Sequence, residues 1–196
     1  MKRIPHSRHA AVLKTLRHEF GHYVAARVAG FRTGAIAVQI LEEAQAHPAG
    51  SDLKLWRPLR GIDDILRYLE DRIVVLYAGA MAEALANSKV DTDMAMDCLL
   101  TKGGQGDRSK AVELLQLARS IGSPDQNSEA DMEREMSGLE TAMLNRSREL
   151  IEAESSLIEN VAHHFSNRVQ FFGQRYVFSA DELNEVDVIR TRFAAP

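Results

Sequence analysis

Two histidines separated by three residues, His18 and His22, lie in a segment whose apolar residues recur every three or four positions. This recurrence is the period of an amphipathic helix. Ser7 is a residue type that caps helices and Gly30 one that ends them, so the pattern predicts a helix from Ser7 to about Ala29. The predicted apolar stripe comprises Leu13, Leu16, Phe20, Tyr23, Val24 and Val28.

The two histidines share one side of this predicted helix, opposite the apolar stripe. Positions four apart differ by about 40° around the axis, so both imidazoles can reach one metal ion. Together with Glu19 they form an H-E-x-x-H motif, in which two histidines bind Zn²⁺. Glu19 points about 100° away from His18, which suits a general base rather than a ligand. The residues on the histidine side are small and leave room for a metal, a helix or a substrate: Ala11, Thr15, Ala25 and Ala29.

A catalytic zinc ion takes three protein ligands and a water, so the motif needs one more donor. Spacing alone leaves several candidates open: Glu83, Asp107, His47 and the adjacent pair His163 and His164. Adjacent helical residues point about 100° apart, so we expect the pair at the surface or in packing. His6 and His9 have no acid nearby and are expected to be solvated.

The remaining pattern predicts a mainly α fold with a small β-sheet, in one domain spanning residues 1–196. A second helix is expected from about Asp63 to Asn87, and the small side chains around Gly79 predict a close approach by another backbone. Residues 35–40 predict a short strand at a sheet edge. Further helices are expected over residues 91–100, 107–120 and 129–165, the last as two helices or one bent helix. Strand-like aromatics over residues 171–178 precede a terminal helix capped by Ser179.

Composition excludes several classes of protein. The 24 Lys and Arg against 28 Asp and Glu form no basic stripe, so nucleic acid is not an expected partner. The longest apolar run, residues 73–82, is about half of the roughly 20 residues that cross a bilayer, so no membrane span is expected. No export signal is recognised at the N-terminus. Cys98 is the only cysteine, which excludes a disulfide framework within the chain and indicates a reducing compartment, the cytoplasm.

Three segments carry motifs that occur together, in this order, in one family of proteases. Residues 15–22, TLRHEFGH, resemble an H-E-A-G-H helix. Residues 76–85, LYAGAMAEAL, resemble L-x-G-G-R-A-A-E-E-L, with Ala80 and Ala84 in place of the motif's Arg and second Glu. Residues 103–111, GGQGDRSKA, resemble G-A-x-x-D-x-x-x-A, and residues 148–186 resemble the closing helices. The chain thereby resembles the zinc-peptidase domain of the FtsH-type AAA proteases, which are membrane-anchored, ATP-driven metalloproteases.

The resemblance implies a helical zinc-metallopeptidase domain of the FtsH-protease type. It implies that His18, His22 and Asp107 bind Zn²⁺ and that Glu19 is the catalytic base, with Glu83 in a structural or supporting role. The sequence has no G-x-x-x-x-G-K-[ST] phosphate loop, so ATP dependence is not carried over. A separate ATPase partner and a homo-oligomeric ring are compatible with the resemblance.

The predicted function is zinc-dependent, ATP-independent hydrolysis of peptide bonds in unfolded proteins or peptides. The alternative is a non-catalytic metal-binding module that interacts with or regulates FtsH-type proteases. A third hypothesis is a phosphate-binding enzyme that uses the glycine-rich stretch before Asp107. The intact Glu19 favours catalysis, because a structural metal site needs ligands but no base. We expect the strand over residues 35–40 to hold an extended substrate as an added strand.

Overall fold

The computed structural model describes residues 1–42, 48–125 and 128–194. After a short 3-10 helix (His6–Arg8), the α-helices are α1 (His9–Val28), α2 (Ile62–Glu83), α3 (Thr92–Thr101), α4 (Gln105–Gly122), α5 (Glu129–Ala153), α6 (Ser155–Ser166), α7 (Ala180–Glu185) and α8 (Asp187–Arg192). The strands are β1 (Arg32–Gln39), β2 (Ala49–Lys54), β3 (Leu85–Ala86), β4 (Lys89–Val90) and β5 (Arg175–Phe178). The expected mainly helical class with a small antiparallel sheet is confirmed. None of the described helices combines the length and the apolar character that crossing a bilayer requires.

The helix α1 packs antiparallel against α2 along the face that carries the histidines. A Cβ added to Gly21 would lie 2.5 Å from the carbonyl oxygen of Ala78 and 2.6 Å from the Cβ of Ala82. The close backbone approach predicted for the small-residue segment of α2 is therefore confirmed. Because α2 covers this face, residues 19–26 are buried all around α1, whereas Val28, expected in the apolar stripe, is 41% exposed.

The three-stranded sheet has the order β2-β1-β5, with antiparallel pairing throughout. The predicted strand over residues 35–40 is present as part of β1, but its expected position at the sheet edge is wrong, because β1 is the central strand. Ile36 and Val38 are buried on the face that packs into the core. The edge strand beside α1 is β2, where Ser51 pairs with Ile36. The sequence of β2, AGSDLK, lacks alternating apolar residues, so periodicity gave no strand signal there.

A two-stranded hairpin, β3 and β4, links α2 to α3. Its turn residues, Asn87 and Ser88, have positive φ values of 51° and 61°, the left-handed conformation that two-residue hairpin turns require. The hairpin ends α2 at Glu83, before the predicted end at Asn87, and allows α3 to pack on α2. The long tract predicted as two helices or one bent helix consists of α5 and α6.

A second hydrophobic cluster fixes α4 on α2. Its buried residues come from α2, α3, α4 and α5: Ile73, Val74, Leu76, Tyr77, Ala80, Cys98, Leu99, Ala111, Leu115 and Met143. Burying such side chains stabilises the packing by roughly 1.5–3 kcal/mol each. The cluster thereby holds the first turn of α4 beside the histidines of α1.

Candidate metal centre

Three side chains converge between α1 and α4: His18 and His22 from the first helix and Asp107 from the second. The Oδ2 atom of Asp107 lies 3.6 Å from Nε2 of His18 and 3.2 Å from Nε2 of His22. These side chains are 12%, 10% and 20% exposed, in the order His18, His22 and Asp107. The structure thus brings together the three residues that the resemblance assigns to zinc.

The spacing of these donor atoms fits a tetrahedral zinc ion. Zinc binds imidazole nitrogen and carboxylate oxygen at about 2.0–2.2 Å, which places neighbouring ligand atoms about 3.3–3.6 Å apart in a tetrahedron. The two measured separations, 3.2 and 3.6 Å, are close to that range. Two imidazoles and one carboxylate also match the ligand chemistry of catalytic zinc sites, which leave the fourth position to water or substrate.

The electrostatics of the three donors favour a cation. Burial opposes the charged carboxylate of Asp107, yet hydrogen bonds with His18 and His22 outweigh it and hold the carboxyl pKa well below its usual range. Burial also lowers the pKa of His18, but its bonds to Asp107, Cys98 and Glu83 raise that pKa well above 6.5. A divalent cation at this site would compete with protons for the same donor atoms.

The Nδ1 atom of each imidazole is held by a hydrogen bond to α2. The Nδ1 atom of His18 lies 2.9 Å from Oε2 of Glu83, and Nδ1 of His22 lies 2.7 Å from the carbonyl oxygen of Val75. Both acceptors belong to α2. Hydrogen bonds of this kind select the tautomer that leaves Nε2 unprotonated and orient the ring toward a metal.

Glu83, one of the candidate third ligands, lies on the Nδ1 side of His18 and cannot share an ion with the two Nε2 atoms. Its Oε1 is 3.1 Å from the ammonium of Lys14, and its Oε2 accepts a hydrogen bond from Cys98 Sγ at 3.2 Å. Burial raises the pKa of Glu83, but the bonds with His18, Cys98 and Lys14 lower it to about 2. The three atoms of His18, Glu83 and Cys98 also lie within 4.8 Å of one another, but the ammonium of Lys14 disfavours a cation there.

Glu19 lies on the β2 side of α1 and is only 5% exposed. The hydroxyl of Ser51 lies 2.9 Å from Oε2 of Glu19 and 2.8 Å from its backbone carbonyl oxygen. Ser51 therefore positions the carboxylate beside the candidate metal ligands without adding a positive charge. Sequence reasoning missed Ser51, because the polar sequence of β2 gave no indication that it packs against α1.

Gly79 provides the space in which the two imidazoles meet. A Cβ at this position would lie 2.4 Å from Nε2 of His22 and 2.7 Å from Nε2 of His18. Any other residue would fill the place where the two Nε2 atoms converge. Glycine within a helix costs about 1 kcal/mol relative to alanine. The space that the two imidazoles need explains why α2 nevertheless has glycine at this position.

Asp107 is positioned by the start of α4. This helix begins after Gly104, whose N–H donates to the carbonyl oxygen of Cys98 on α3 at 3.2 Å. Asp107 is the third residue of α4, so its carboxylate also lies at the positive end of the helix dipole. The neighbouring Arg108 pairs with Glu140 of α5 at 3.4 Å. Gly104, and not Asp107, occupies the N-cap position of α4.

The other histidines in the described part of the chain lie away from this site. They are His6, His9, His163 and His164. His163 lies near the end of α6, is 59% exposed and lies 3.7 Å from Glu159, as the surface or packing role predicts. His6 is exposed as expected, whereas His9 is half-buried. His47, another candidate ligand, lies outside the described residues.

Comparison with models of known protein families gives no match, and comparison with curated proteins finds no relative. The resemblance to FtsH-type peptidase domains therefore depends on the three matching segments. It stays a prediction.

Proposed function

We propose that the protein is a zinc-dependent metallopeptidase of the FtsH type. The observation that carries this proposal is the approach of Asp107 Oδ2 to within 3.2 and 3.6 Å of two Nε2 atoms whose Nδ1 partners are already fixed. The buried carboxylate of Glu19 beside them favours catalysis over a purely structural metal site, which would need no base.

Zinc held by His18, His22 and Asp107 would polarise a substrate carbonyl and lower the pKa of a water toward about 7. Glu19 would accept a proton from the attacking water as its oxygen bonds to the carbonyl carbon. The same carboxylate would donate that proton to the amine nitrogen as the C–N bond breaks. Ser51 would keep the carboxylate in place during both transfers. No covalent bond to the protein forms.

The substrate class proposed is unfolded protein or peptide, because folded cores hide the backbone that must reach the site. Within the described residues β2 pairs only with β1, so its second edge is free to add an extended peptide. The strand passes the base, since Ser51 belongs to β2. The proposed pairing partner of the extended substrate is therefore β2, and not residues 35–40 as expected from the sequence. An accompanying ATPase, a homo-oligomer and a cytoplasmic location remain part of the proposal.

Metal content and proteolysis test the proposal together. Purified wild type should contain one zinc per chain by mass spectrometry, and Asp107→Asn should lose it. Asp131→Asn is the matched control, because Asp131 is likewise the third residue of its helix, α5, and pairs with Arg134 instead of histidines. The control should keep the zinc. Retention of stoichiometric zinc by Asp107→Asn would remove the ligand assignment.

Glu19→Gln separates catalysis from metal binding. This variant keeps the size of the side chain and should keep the zinc, but its cleavage of an unstructured protein such as casein should disappear. Zinc-loaded wild type that is as inert as Glu19→Gln toward casein and varied peptides would refute hydrolysis. That outcome would support the alternative, a metal-binding interaction module.

A further inference from the structure

The face of α2 that meets the metal site carries one more charged side chain, Arg72. Residues four, seven and eleven positions apart share a helix face, and this relation links Arg72 with Tyr68, Gly79 and Glu83. Gly79 and Glu83 both meet the zinc-binding histidines. Arg72 therefore extends the same face toward the start of α2.

Arg72 is half-buried. Among the described residues its guanidinium makes no hydrogen bond, and no carboxylate lies within 4 Å of it. The neighbouring acid on the helix, Asp71, is already paired with Arg57 and Arg146. A guanidinium offers five donors, and those of Arg72 are not among the fully buried unpartnered atoms, so a ligand can reach them.

The carboxylate whose charge acts on Arg72 is Asp107, a residue of the candidate metal site. Burial lowers the pKa of the guanidinium, and the negative charge of Asp107 offsets part of that effect. When Asp107 binds a metal, its charge is shared with the cation. Arg72 then lacks an anionic partner among the described residues.

We propose that Arg72 is a specificity-determining residue that binds a carboxylate of the substrate, either an acidic side chain or the C-terminal carboxylate. The proposal rests on the proposed peptidase function and names its substrate class. Arg72 lies seven residues before Gly79 on α2, which is about 10 Å along the helix axis. An extended chain advances about 3.3–3.6 Å per residue, so the carboxylate lies within about three residues of the scissile bond.

Arg72 and Glu19 contact different parts of the site. Ser51 holds Glu19 on the β2 side, whereas Arg72 projects from α2, on the side of Asp107. In the proposed binding mode the base and the arginine act on the substrate from different elements, α1 and α2. The arginine would fix the register of the chain and take no part in proton transfer.

Paired peptides test the proposal with the zinc-loaded full chain. One pair carries Glu or Gln within three residues of the cleaved bond, and a second pair ends in a free carboxylate or an amide. Wild type should prefer the carboxylate member of at least one pair by roughly tenfold or more in kcat/KM, the effect of a charge-assisted hydrogen bond. The pair that shows the preference identifies the source of the carboxylate.

Arg72→Gln should remove this preference by slowing only the carboxylate peptide, and Arg72→Lys should retain part of it. Arg67→Gln is the matched control, because Arg67 is an exposed arginine of the same helix that pairs with Asp64. The control should behave as wild type. Equal cleavage of both members by wild type, or an undiminished preference in Arg72→Gln, would overturn the proposal.

A binding measurement separates this proposal from hydrolysis. In the Glu19→Gln background, fluorescence anisotropy should show tighter binding of the carboxylate peptide, and Arg72→Gln should abolish the difference while the zinc content stays unchanged. Binding that ignores Arg72 would refute the inference whether or not any peptide is cleaved. Arg72-dependent binding without cleavage by wild type would retain the carboxylate site and refute the peptidase.

Discussion

Replacing Gly21 by alanine tests the contact on which the metal site depends, the close packing of α1 on α2. Glycine to alanine in a helix interior normally stabilises a protein by about 1 kcal/mol. At Gly21 the added Cβ would lie 2.5 Å from the carbonyl oxygen of Ala78 and 2.6 Å from the Cβ of Ala82. Ordinary contacts of a Cβ begin at 3.4 Å, so the helices must separate by close to 1 Å.

The sign of the effect is therefore opposite to helix propensity. Inserting a methyl group into a well-packed interior costs about 1–3 kcal/mol, and here one neighbour is backbone, which cannot rotate away. With a cost near the upper end and a gain of about 1 kcal/mol from propensity, we expect Gly21→Ala to lose about 2 kcal/mol. At a urea dependence of about 2 kcal/mol/M, the unfolding midpoint would fall by about 1 M.

Gly138→Ala provides the matched control. Gly138 lies inside α5, is exposed, and a Cβ there meets nothing within 4 Å. This variant should gain about 1 kcal/mol from propensity alone. Both variants are compared with wild type by urea unfolding in the presence of a chelator, so that bound metal does not contribute. If Gly21→Ala raises the midpoint as Gly138→Ala does, the close packing of α1 on α2 is refuted.

Three more measurements address the site and its surroundings. Zinc at about a hundredfold excess over its dissociation constant should stabilise wild type by about 2.7 kcal/mol and leave Asp107→Asn unchanged; equal stabilisation of both would contradict the ligand set. Gly79→Ala should weaken zinc binding by about tenfold or more in a competition with a chromophoric chelator, because its Cβ would lie 2.4 Å from Nε2 of His22. Tyr77, whose hydroxyl donates to Glu140 at 3.1 Å, should ionise at a higher pH than ordinary tyrosines, since burial and the negative charge of Glu140 raise its pKa. Because the folded pKa exceeds the unfolded value of about 10, this contribution to stability is complete below pH 10 and is lost as the pH rises through the folded value. Tyr77→Phe should remove the last phase of a tyrosinate absorbance titration, and an unchanged last phase would contradict the burial of this hydroxyl.

The sequence predicted the parts of the fold that depend on local pattern. Periodicity located α1 and α2 to within a few residues, and the small residues around Gly79 predicted a close helix contact. The capping box at Ser179 is present as predicted, with Ser179 and Glu182 bonding to each other's backbone N–H groups. Each of these features is encoded by residues that are close together in the sequence.

The parts that sequence missed depend on residues distant in the chain. The strand β2 is polar and is a strand because β1 pairs with it, and Ser51 reaches Glu19 across more than thirty positions. The carbonyl oxygen of Val75, which orients His22, is a backbone atom, so no residue type in the sequence indicates its role. Spacing in the sequence did not distinguish Asp107 from Glu83 as the third ligand, whereas the resemblance implied Asp107. The structure places Asp107 at the two Nε2 atoms because a hydrophobic cluster holds α4 on α2.

The composition of the contact between α1, α2 and α4 suits the proposed ligand binding better than it suits stability. Three ionisable side chains lie largely buried at this contact, and replacing buried charges with apolar residues of similar size is often neutral or stabilising. Gly79 adds a further cost of about 1 kcal/mol in helix propensity. Both costs serve the same geometry, two oriented Nε2 atoms with a carboxylate opposite and no side chain between them. The carboxylate of Asp107 has partners without a metal, namely the two imidazoles and the ammonium of Lys110 at 3.9 Å. The proposed binding of a divalent cation would use all three donors at once and would account for the buried charges and for the space at Gly79 together.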